Sequence, residues 1–532
     1  MGFKTADFPP VDTETFLDLP LRDRVRTLAL HWVEYGFGTP KMIHTIYIAK
    51  LLVLYIFGGV LVATATSGVG PFWAVGQWWN EPIVYQKLVL WTVLLEAIGL
   101  AGSWGPLAGK FKPMTGGILY WARPGSSPFL RRIDLARYGL RWAWPELDCV
   151  HPLDDGSAGV LHRSVAETAT GLGADGRLWR TLFESPVANY DQLDDDIMRP
   201  LLRIPRHPIR LARFGIPAAA PAALLQRAFR TEEARALFGG VAAHAFQPLE
   251  RPLSASIGLG ILTAGHRHGW AVAVGGSQRI ADCMADVLAD HGGKIETGVR
   301  VRSIADLTLS DVTIRDLAPT AVAQILGERL PSRVARAYRR FRYGPGAFKV
   351  DFAVEGGVPW TNEDARRAGT VHLGGSFAEI AVGERDIHAG RIPERPFVLV
   401  GQQYLADPGR SVGSIHPVWT YAHVPNGYTG DATEAIIAQI ERFAPGFRDR
   451  VVGMTTRTTT EFAEYNPNYV GGNIMTGAKA LSQLLFGPRK TLQPYDIGVP
   501  GHYLCSAATP PGPGAHGMCG ANAAERALRQ LR

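Results

Sequence analysis

Two long apolar segments near the start of the chain restrict its fold more than any other feature. Residues 43–66 contain one formal charge, Lys50, and residues 83–102 contain two, Lys87 and Glu96. An α-helix needs about 20 apolar residues to cross the hydrocarbon core of a bilayer. The first segment therefore predicts a membrane-spanning helix, and the second predicts either another span or a helix at the membrane interface.

The flanks of these two segments predict their orientation. Lysine and arginine lie on the outer sides of both segments, and the loop between them has neither. Because basic residues collect on the cytoplasmic side of a membrane, both ends of the hairpin and the body that follows are expected to face the cytoplasm. Three tryptophans in the loop fit either an aromatic belt at the lipid boundary or ordinary loop packing: Trp73, Trp78 and Trp79.

The composition of the whole chain excludes several classes of protein. Of the 532 residues, 46% are hydrophobic and 19% are charged, a balance typical of globular proteins. The net charge of +7 comes largely from scattered arginines without a basic tail, so nucleic-acid binding is not expected. The four cysteines form no CxxC pair and no metal-ligand spacing, which favours a reduced body without a metal site.

The texture of the sequence changes after Gly125, where long apolar runs give way to short helical and β-like pieces. We place a domain boundary there, between a membrane-associated hairpin in residues 1–125 and a second body in residues 126–532. A helical pattern covers residues 222–246. The arginines ahead of it recur every three or four residues, which indicates a solvated face or, beside a membrane, a surface for anionic lipid: Arg199, Arg203, Arg206, Arg210 and Arg213.

Two glycine pairs enclose a predicted helix in residues 269–304, GWAVAVGGSQRIADCMADVLADHGGKIETGVRVRSI. Gly275 and Gly276 allow the backbone to approach a ligand closely at the start of this helix. Gly292 and Gly293 provide a left-handed stop at its end. The segment is therefore expected to form a glycine turn, a helix and a cap.

The residues after the second glycine pair predict a strand. Ile295, Val299 and Val301 are β-branched and suit a pleated, partly buried position. An ordinary helix-strand unit, without a ligand, is the alternative interpretation of the whole stretch.

The most specific motif is YLCSAATPPGPGAHGMCGANAAERAL, from Tyr503 to Leu528. A short apolar strand is predicted to run into a glycine-proline loop and then into a helix, whose first backbone N–H groups would point at a polar cofactor edge. Gly512, Gly514 and Gly517 also satisfy the expression G-x-G-x-x-G. A dinucleotide-binding turn requires a further strand and an acidic residue beyond it. The sequence after Gly517 supplies neither, so we do not assign such a turn here.

These motifs and the segments between them resemble the phytoene-desaturase-like and carotenoid-isomerase-like NAD(P)/FAD-dependent oxidoreductases over nearly all of residues 126–532. Residues 1–125, with phrases such as GKFKPMTGGILYWARPG, resemble an actinobacterial transmembrane family of unknown function. The first resemblance implies an α/β (α+β) flavoprotein fold with three kinds of segment: a helical substrate- or membrane-facing part at about 170–265, cofactor-domain segments at 269–304 and 500–532, and a substrate sheet at 340–470.

The resemblance also implies the cofactor and the residues that border it. The cofactor is FAD, and the residue at position 301 would lie against its adenine. Because the flavin carries the chemistry in such enzymes, no catalytic acid–base pair is predicted. The implied cofactor-binding residues are Gly275, Gly276, Ser277, Val301, Ser506, Ala507, Thr509, Gly514, Gly517 and Met518.

One element of the family pattern has no match. Members begin with a strand, a G-x-G-x-x-G turn and an acidic strand end that together seat the ADP half of FAD. Nothing before Ser126 fits that pattern. The predicted fold is therefore an FAD/NAD(P)-binding fold that lacks its N-terminal βαβ unit and carries an α-helical membrane hairpin in its place.

These features predict an FAD-dependent oxidoreductase of the desaturase, dehydrogenase or isomerase type. Its substrate would be an apolar isoprenoid or lipid-like molecule, taken at the cytoplasmic membrane, with membrane lipid as a partner. The alternative is a flavin-free, membrane-anchored pseudoenzyme or binding protein, because without the N-terminal turn the pyrophosphate loses its helix N-terminus.

Polar residues near turn signals have two interpretations. Tyr421, His423, Asn426 and Asn468 could face the substrate side of a flavin, but turns use Asn and His for backbone reasons, so structural roles are favoured. Three further histidines lack partners at metal-ligand spacing and are expected to be structural or surface residues: His244, His266 and His268.

Overall fold

Four stretches of the chain are described by the structure, a computed structural model: residues 127–201, 203–307, 310–479 and 481–531. The predicted membrane hairpin, its tryptophan loop and its orientation concern residues 1–125 and lie outside these stretches. Within them, none of the helices combines the length and the apolar character that a bilayer crossing requires.

Strands form the central layer of the described part. Residues 347–354 alternate in polarity and residues 397–400 are apolar, patterns typical of strands, and both segments form strands. In chain order the strands are β1 (Trp142–Ala143), β2 (Leu147–Pro152), β3 (Ala158–Leu161), β4 (Val272–Ala273), β5 (Thr313–Arg315), β6 (Gly346–Glu355), β7 (Ala368–Leu373), β8 (Val398–Gly401), β9 (Ile415–Val424), β10 (Val451–Arg457) and β11 (His502–Leu504).

Helices lie between and around these strands, so that the described part has a mixed α/β structure. In chain order they are α1 (Val165–Gly171), α2 (Gly176–Ala188), α3 (Tyr190–Ile197), α4 (Pro208–Ala218), α5 (Ala222–Leu225), α6 (Glu232–Ala242), α7 (Ser254–His268), α8 (Gln278–Asp290), α9 (Pro319–Leu326), α10 (Ser332–Arg339), α11 (Phe377–His388), α12 (Thr433–Phe443), α13 (Thr459–Tyr465), α14 (Leu481–Phe486) and α15 (Met518–Leu531).

Seven strands form one sheet in the order β10-β6-β9-β8-β7-β2-β3. β2 and β7 run parallel, and the other neighbours run antiparallel. Because side chains alternate between the two faces of a strand, β9 contributes Trp419 and Tyr421 to one core and Val418 and Ala422 to the other. The central strands of the sheet are therefore buried on both faces, whereas the edge strand β10 is mostly exposed.

The helices α2, α6 and α7 contribute to the core on the Tyr421 side of the sheet. Their buried side chains join the same cluster, among them Trp179, Phe238 and Ile261. Full burial of one such side chain stabilises the fold by about 1.5–3 kcal/mol. On the opposite side, α12 packs against the sheet through Ile436 and Ile440.

The helical pattern in residues 222–246 predicted more continuity than the structure has. The segment forms α5 and α6, with an interruption between them. The buried carboxylate of Asp175 accepts hydrogen bonds from the backbone N–H groups of Arg230 and Thr231, both at 2.8 Å. The Thr231 side chain then caps α6 by accepting from Ala234 N. A distant carboxylate thus satisfies the N–H groups at the break.

The strand predicted at Ile295–Val301 is wrong. The helix α8 and its stop are confirmed, since Gly292 has a φ of 77° and Gly293 N donates to Leu288 O at 2.9 Å. The following residues are largely exposed and form no strand. A strand needs a neighbour for its N–H and C=O groups. Within the described stretches, no strand pairs with this segment.

The predicted strand-loop-helix unit at the C-terminal end is confirmed as β11, the loop 505–517 and α15. β11 pairs in parallel with β5, with Leu504 opposite Arg315. Among the described residues these two short strands form a separate sheet. The glycine-proline loop thus leaves a sheet at its carboxyl end, where α/β proteins commonly bind ligands.

Candidate functional site

An open cleft lies where the C-terminal loop meets a second loop. One wall consists of residues 507–513 and the other of residues 475–479 and 483–484, with Phe341 beside them. Two residues predicted to bind the cofactor, Ala507 and Thr509, line this cleft.

Hydrogen bonds within the C-terminal loop fix the shape of this wall. The backbone N–H and the hydroxyl of Thr509 both donate to Ser506 O, at 2.8 and 2.7 Å. The hydroxyl of the buried Tyr495 donates to Pro510 O at 2.9 Å. Ser506 and Thr509 are themselves buried. Their polar groups therefore hold the turn in place.

The end of the loop is closed by His516, which our sequence reasoning missed. Its Nδ1 accepts a hydrogen bond from Met518 N at 2.9 Å, and its Nε2 lies 3.1 Å from Gly512 O. This pair of contacts requires the proton on Nε2. Burial lowers the pKa of His516 to about 4, so the ring is neutral at neutral pH. A histidine two residues before a helix in a glycine-rich loop was the available signal.

The chain's own segment 127–140 holds both glycine-rich motifs. Ser127 Oγ donates to His516 O at 2.8 Å, and the ring of Phe129 lies against Gly517. The same segment packs on α8, where Cys283 Sγ donates to Tyr138 O at 3.2 Å. Both glycine-rich motifs therefore contact this one segment, but of the two motifs only the C-terminal one lines the cleft.

Replacing Gly517 by valine is expected to destabilise the fold by about 2–4 kcal/mol. Its φ of 68° strains any residue with a Cβ atom, and that atom would overlap the Phe129 ring. Gly520→Ala is the matched control, because a Cβ at that position of α15 has no neighbour within 4 Å. Denaturant unfolding of both variants measures the difference, and equal stability would contradict the packing of Gly517 on Phe129.

The first glycine turn is occupied by a carboxylate of the chain. Gly275 and Gly276 have φ values of 82° and 103°, as expected for a turn that needs glycine. Gly275 N donates to Asp407 Oδ2 at 2.8 Å, and Arg410 Nε donates to the same oxygen at 2.9 Å. Arg410 also donates to Ala273 O at 2.6 Å. We name these contacts the Asp407 clamp.

The remaining predicted residues lie outside the cleft. Ser277 immediately precedes α8, and its side chain makes no cap hydrogen bond. Gly514 has a φ of 148° in the far part of the C-terminal loop, and Met518 is the first residue of α15. Val301 lies in the irregular segment after α8. Of the ten positions, only two therefore face the cleft.

Among the described lining residues of the cleft, Lys479 is the one that carries a charge. Its side chain is largely buried. Phe341, Met475 and Leu484 provide apolar surface next to it. The cleft thus offers an apolar wall with one cation, which suits a flat apolar group with a polar or anionic edge.

Our sequence reasoning also missed a buried polar cluster on the Tyr421 side of the large sheet. His244 Nε2 lies 3.1 Å from His372 Nε2, and His244 Nδ1 lies 3.1 Å from the Tyr421 hydroxyl. His423 Nδ1 lies 2.6 Å from Glu384 Oε1. These residues are spread over 180 positions of sequence, and the strands β7 and β9 bring them together with α11 and the turn after α6.

Burial keeps His244, His372 and the nearby His151 neutral. It lowers the pKa of His244 and His372 well below the usual value and that of the nearby His151 to about 4. Gly240 of α6 packs so tightly here that an added Cβ would lie 2.6 Å from His151 Nδ1. Within the described part of the chain, no group of three or more His, Cys, Asp or Glu side chains could hold a metal ion. The cluster acts as a hydrogen-bonded core layer.

The other polar candidates make hydrogen bonds within the chain. Asn426 and Asn468 bind backbone carbonyls, at 2.7 Å to Gly344 O and 3.1 Å to Asp316 O. His266 is buried and lies 2.9 Å from Trp179 Nε1. These contacts agree with the structural interpretation, and the surface alternative is wrong for all three histidines: His244, His266 and His268.

Comparison with known proteins relates both parts of the chain to others. Residues 1–137 match a family described as "Transmembrane protein of unknown function" (DUF3556). The chain is 23% identical to "Pyridine nucleotide-disulfide oxidoreductase domain-containing protein 2" of Rattus norvegicus over 350 residues, 54% of this chain and 59% of the relative. It is 23% identical to "Phytoene desaturase (neurosporene-forming)" of Rhodobacter capsulatus over 284 residues, 47% of this chain and 51% of the relative.

A solved structure has a similar fold. An oxidoreductase from Methanosarcina mazei aligns with a TM-score of 0.50 at 14% identity, over 81% of this chain and 96% of that one. The chain spans between half and three-fifths of the length of the two curated relatives. Its sequence is thus similar to those of oxidoreductases, and it shares the fold of one.

Proposed function

We propose that the chain is an FAD-dependent oxidoreductase of the desaturase, dehydrogenase or isomerase type that acts on an apolar isoprenoid or lipid-like substrate. The proposal places it at the cytoplasmic membrane, with the body on the cytoplasmic side. The observation that carries the proposal is the cleft formed by the C-terminal motif, with its apolar wall and its single cation. The similarity to a phytoene desaturase supports the substrate class.

The lining residues fit the ring end of FAD. The lining would border one edge of the ring system and not the whole dinucleotide. FAD, when bound, supplies the acceptor for a hydride or an electron pair. The described residues would contribute an apolar, water-poor wall at Phe341 and Leu484 and a cation, Lys479, that stabilises negative charge.

A reduction experiment tests the substrate class. The detergent-purified full chain, supplied with FAD under anaerobic conditions, is expected to lose its visible flavin absorbance when an acyclic polyunsaturated isoprenoid is added in the same micelles. A primary amine at equal concentration is the control and is expected to leave the spectrum unchanged. Bleaching by the amine and not by the isoprenoid would contradict the proposed substrate.

A flavin-free binding protein is the second candidate, and one observation favours it. Two backbone N–H groups that were expected to face a cofactor already have partners within the chain, Gly275 N at Asp407 and Met518 N at His516. Such a protein would retain an apolar ligand in the cleft without redox chemistry. Flavin in the purified protein would exclude this candidate.

A further inference from the structure

The outer face of α4 is apolar where a helix of a globular protein is normally polar. Ile209 and Ile216 are 83% and 68% exposed, while Leu211 and Phe214 on the other side of the helix are buried. Residues seven apart lie on one face of a helix, so the two isoleucines stand in line with Arg213 between them. Ile204 before the helix and Leu224 after it are also exposed. We call Ile209, Ile216, Arg210 and Arg213 the α4 face.

The segment that contains this face carries only basic charges. Residues 197–231 contain seven arginines and no aspartate or glutamate. Arg203 forms an ion pair with Asp196 at 3.2 Å, and Arg206 forms one with Asp195 at 3.8 Å. No ion pair forms at Arg210 or Arg213 within the described part of the chain, and both side chains are exposed. Among the described residues, the arginines and the exposed isoleucines beside them therefore have no partner.

We propose that the α4 face docks on an anionic lipid surface. Isoleucines would enter the boundary between headgroups and acyl chains, and the flanking arginines would bind phosphates, as in helices that lie in a membrane interface. The inference rests on the membrane location in the proposed function and adds the surface and the lipid charge. The match of residues 1–137 to a transmembrane family gives the same chain a reason to be near a bilayer.

Charge complementarity favours lipid over a protein partner. A run of 35 residues without one acidic side chain suits a surface that is uniformly negative. Highly exposed apolar side chains interleaved with arginines on one helix suit a fluid surface that can mould around them. The α4 face therefore matches the headgroup region of a bilayer.

Quenching by lipid-borne spin labels tests the proposal on the full chain in nanodiscs. Ile209→Cys and Ile216→Cys are labelled with a small fluorophore, and Val412→Cys is the control, since Val412 is 73% exposed elsewhere. The unsubstituted chain gives the background from its own cysteines. In discs of phosphatidylcholine with phosphatidylglycerol, quenching at positions 209 and 216 is expected to exceed that at 412 at least threefold. Equal quenching at the three positions overturns the proposal.

Lipid charge and arginine variants test the electrostatic part. Omitting phosphatidylglycerol, or introducing Arg210→Gln with Arg213→Gln, is expected to at least halve the quenching at position 209. Arg339→Gln with Arg340→Gln removes two exposed charges elsewhere and is expected to leave it unchanged. Two results would contradict the inference. One is quenching that does not depend on the charge of the lipid. The other is a label that is shielded from solvent but not quenched by lipid, as it would be under a protein partner.

The flavin content of the same samples separates the two proposals. Loss of quenching with flavin retained would contradict the docking surface and leave the oxidoreductase proposal intact. Quenching without any bound flavin would support the docking surface and contradict the oxidoreductase proposal.

Discussion

Asp407→Ala is expected to destabilise the chain by about 3–5 kcal/mol, the usual cost of removing one partner from a buried ion pair. Asp407 and Arg410 are both buried, and the carboxylate also accepts the Gly275 N–H. Without it, the Arg410 charge and the Gly275 N–H lose their partner, and the turn before α8 loses its anchor. Denaturant unfolding measures the loss of stability.

Two further variants isolate the Asp407 clamp. Asp282→Ala breaks an exposed pair with Arg279 on α8 and is expected to cost less than about 1 kcal/mol. Asp407→Ala combined with Arg410→Met removes both charges and is expected to recover much of the lost stability. If Asp407→Ala were as mild as Asp282→Ala, the clamp would not hold the glycine turn.

Asp148→Asn is expected to stabilise the chain by about 2–4 kcal/mol at pH 8.5 and by far less at pH 5. Asp148 is buried on β2, where one oxygen accepts Trp270 N at 2.8 Å and the other has no partner. Burial raises the pKa of this carboxyl to about 7. The neutral amide keeps the acceptor for Trp270 and removes the charge, worth about 1.4 kcal/mol for each unit of pKa shift.

The direction of this pH dependence follows from proton binding. The unfolded carboxyl loses its proton near pH 3.9, whereas the folded one keeps it until about pH 7. Between these values the folded state binds more protons, so the contribution of Asp148 to stability is full at low pH and is lost as the pH rises through 7. Unfolding midpoints of both proteins at pH 5 and 8.5 measure it. The exposed Asp311→Asn is the control, and a pH-independent difference at Asp148 would contradict the buried charge.

Local sequence signals predicted the elements whose stability is local. Gly292 and Gly293 marked the end of α8 because a left-handed stop depends on neighbouring residues only. The strand, loop and helix from Tyr503 to Leu528 were readable for the same reason. The sequence also predicted part of the cleft lining, since Ala507 and Thr509 lie in it.

Tertiary contacts decided the features that sequence reasoning missed. Asp175, more than 50 positions away, interrupts the helical pattern at Arg230 and Thr231. The strand expected at Val301 fails because a strand depends on a neighbour, which local periodicity does not reveal. The contact between His244 and His372 joins residues 128 positions apart, so only the sheet topology could show it.

Flavin binding by the chain is the central claim, and the absorbance spectrum of the detergent-purified full chain, with the mass of any released cofactor, tests it most directly. The spectrum is recorded before and after addition of FAD and removal of the excess. We predict a flavin spectrum with about one FAD per chain, a stoichiometry expected for a single cofactor site. Folded protein that neither retains nor binds FAD would contradict the claim and leave the flavin-free binding protein as the better account.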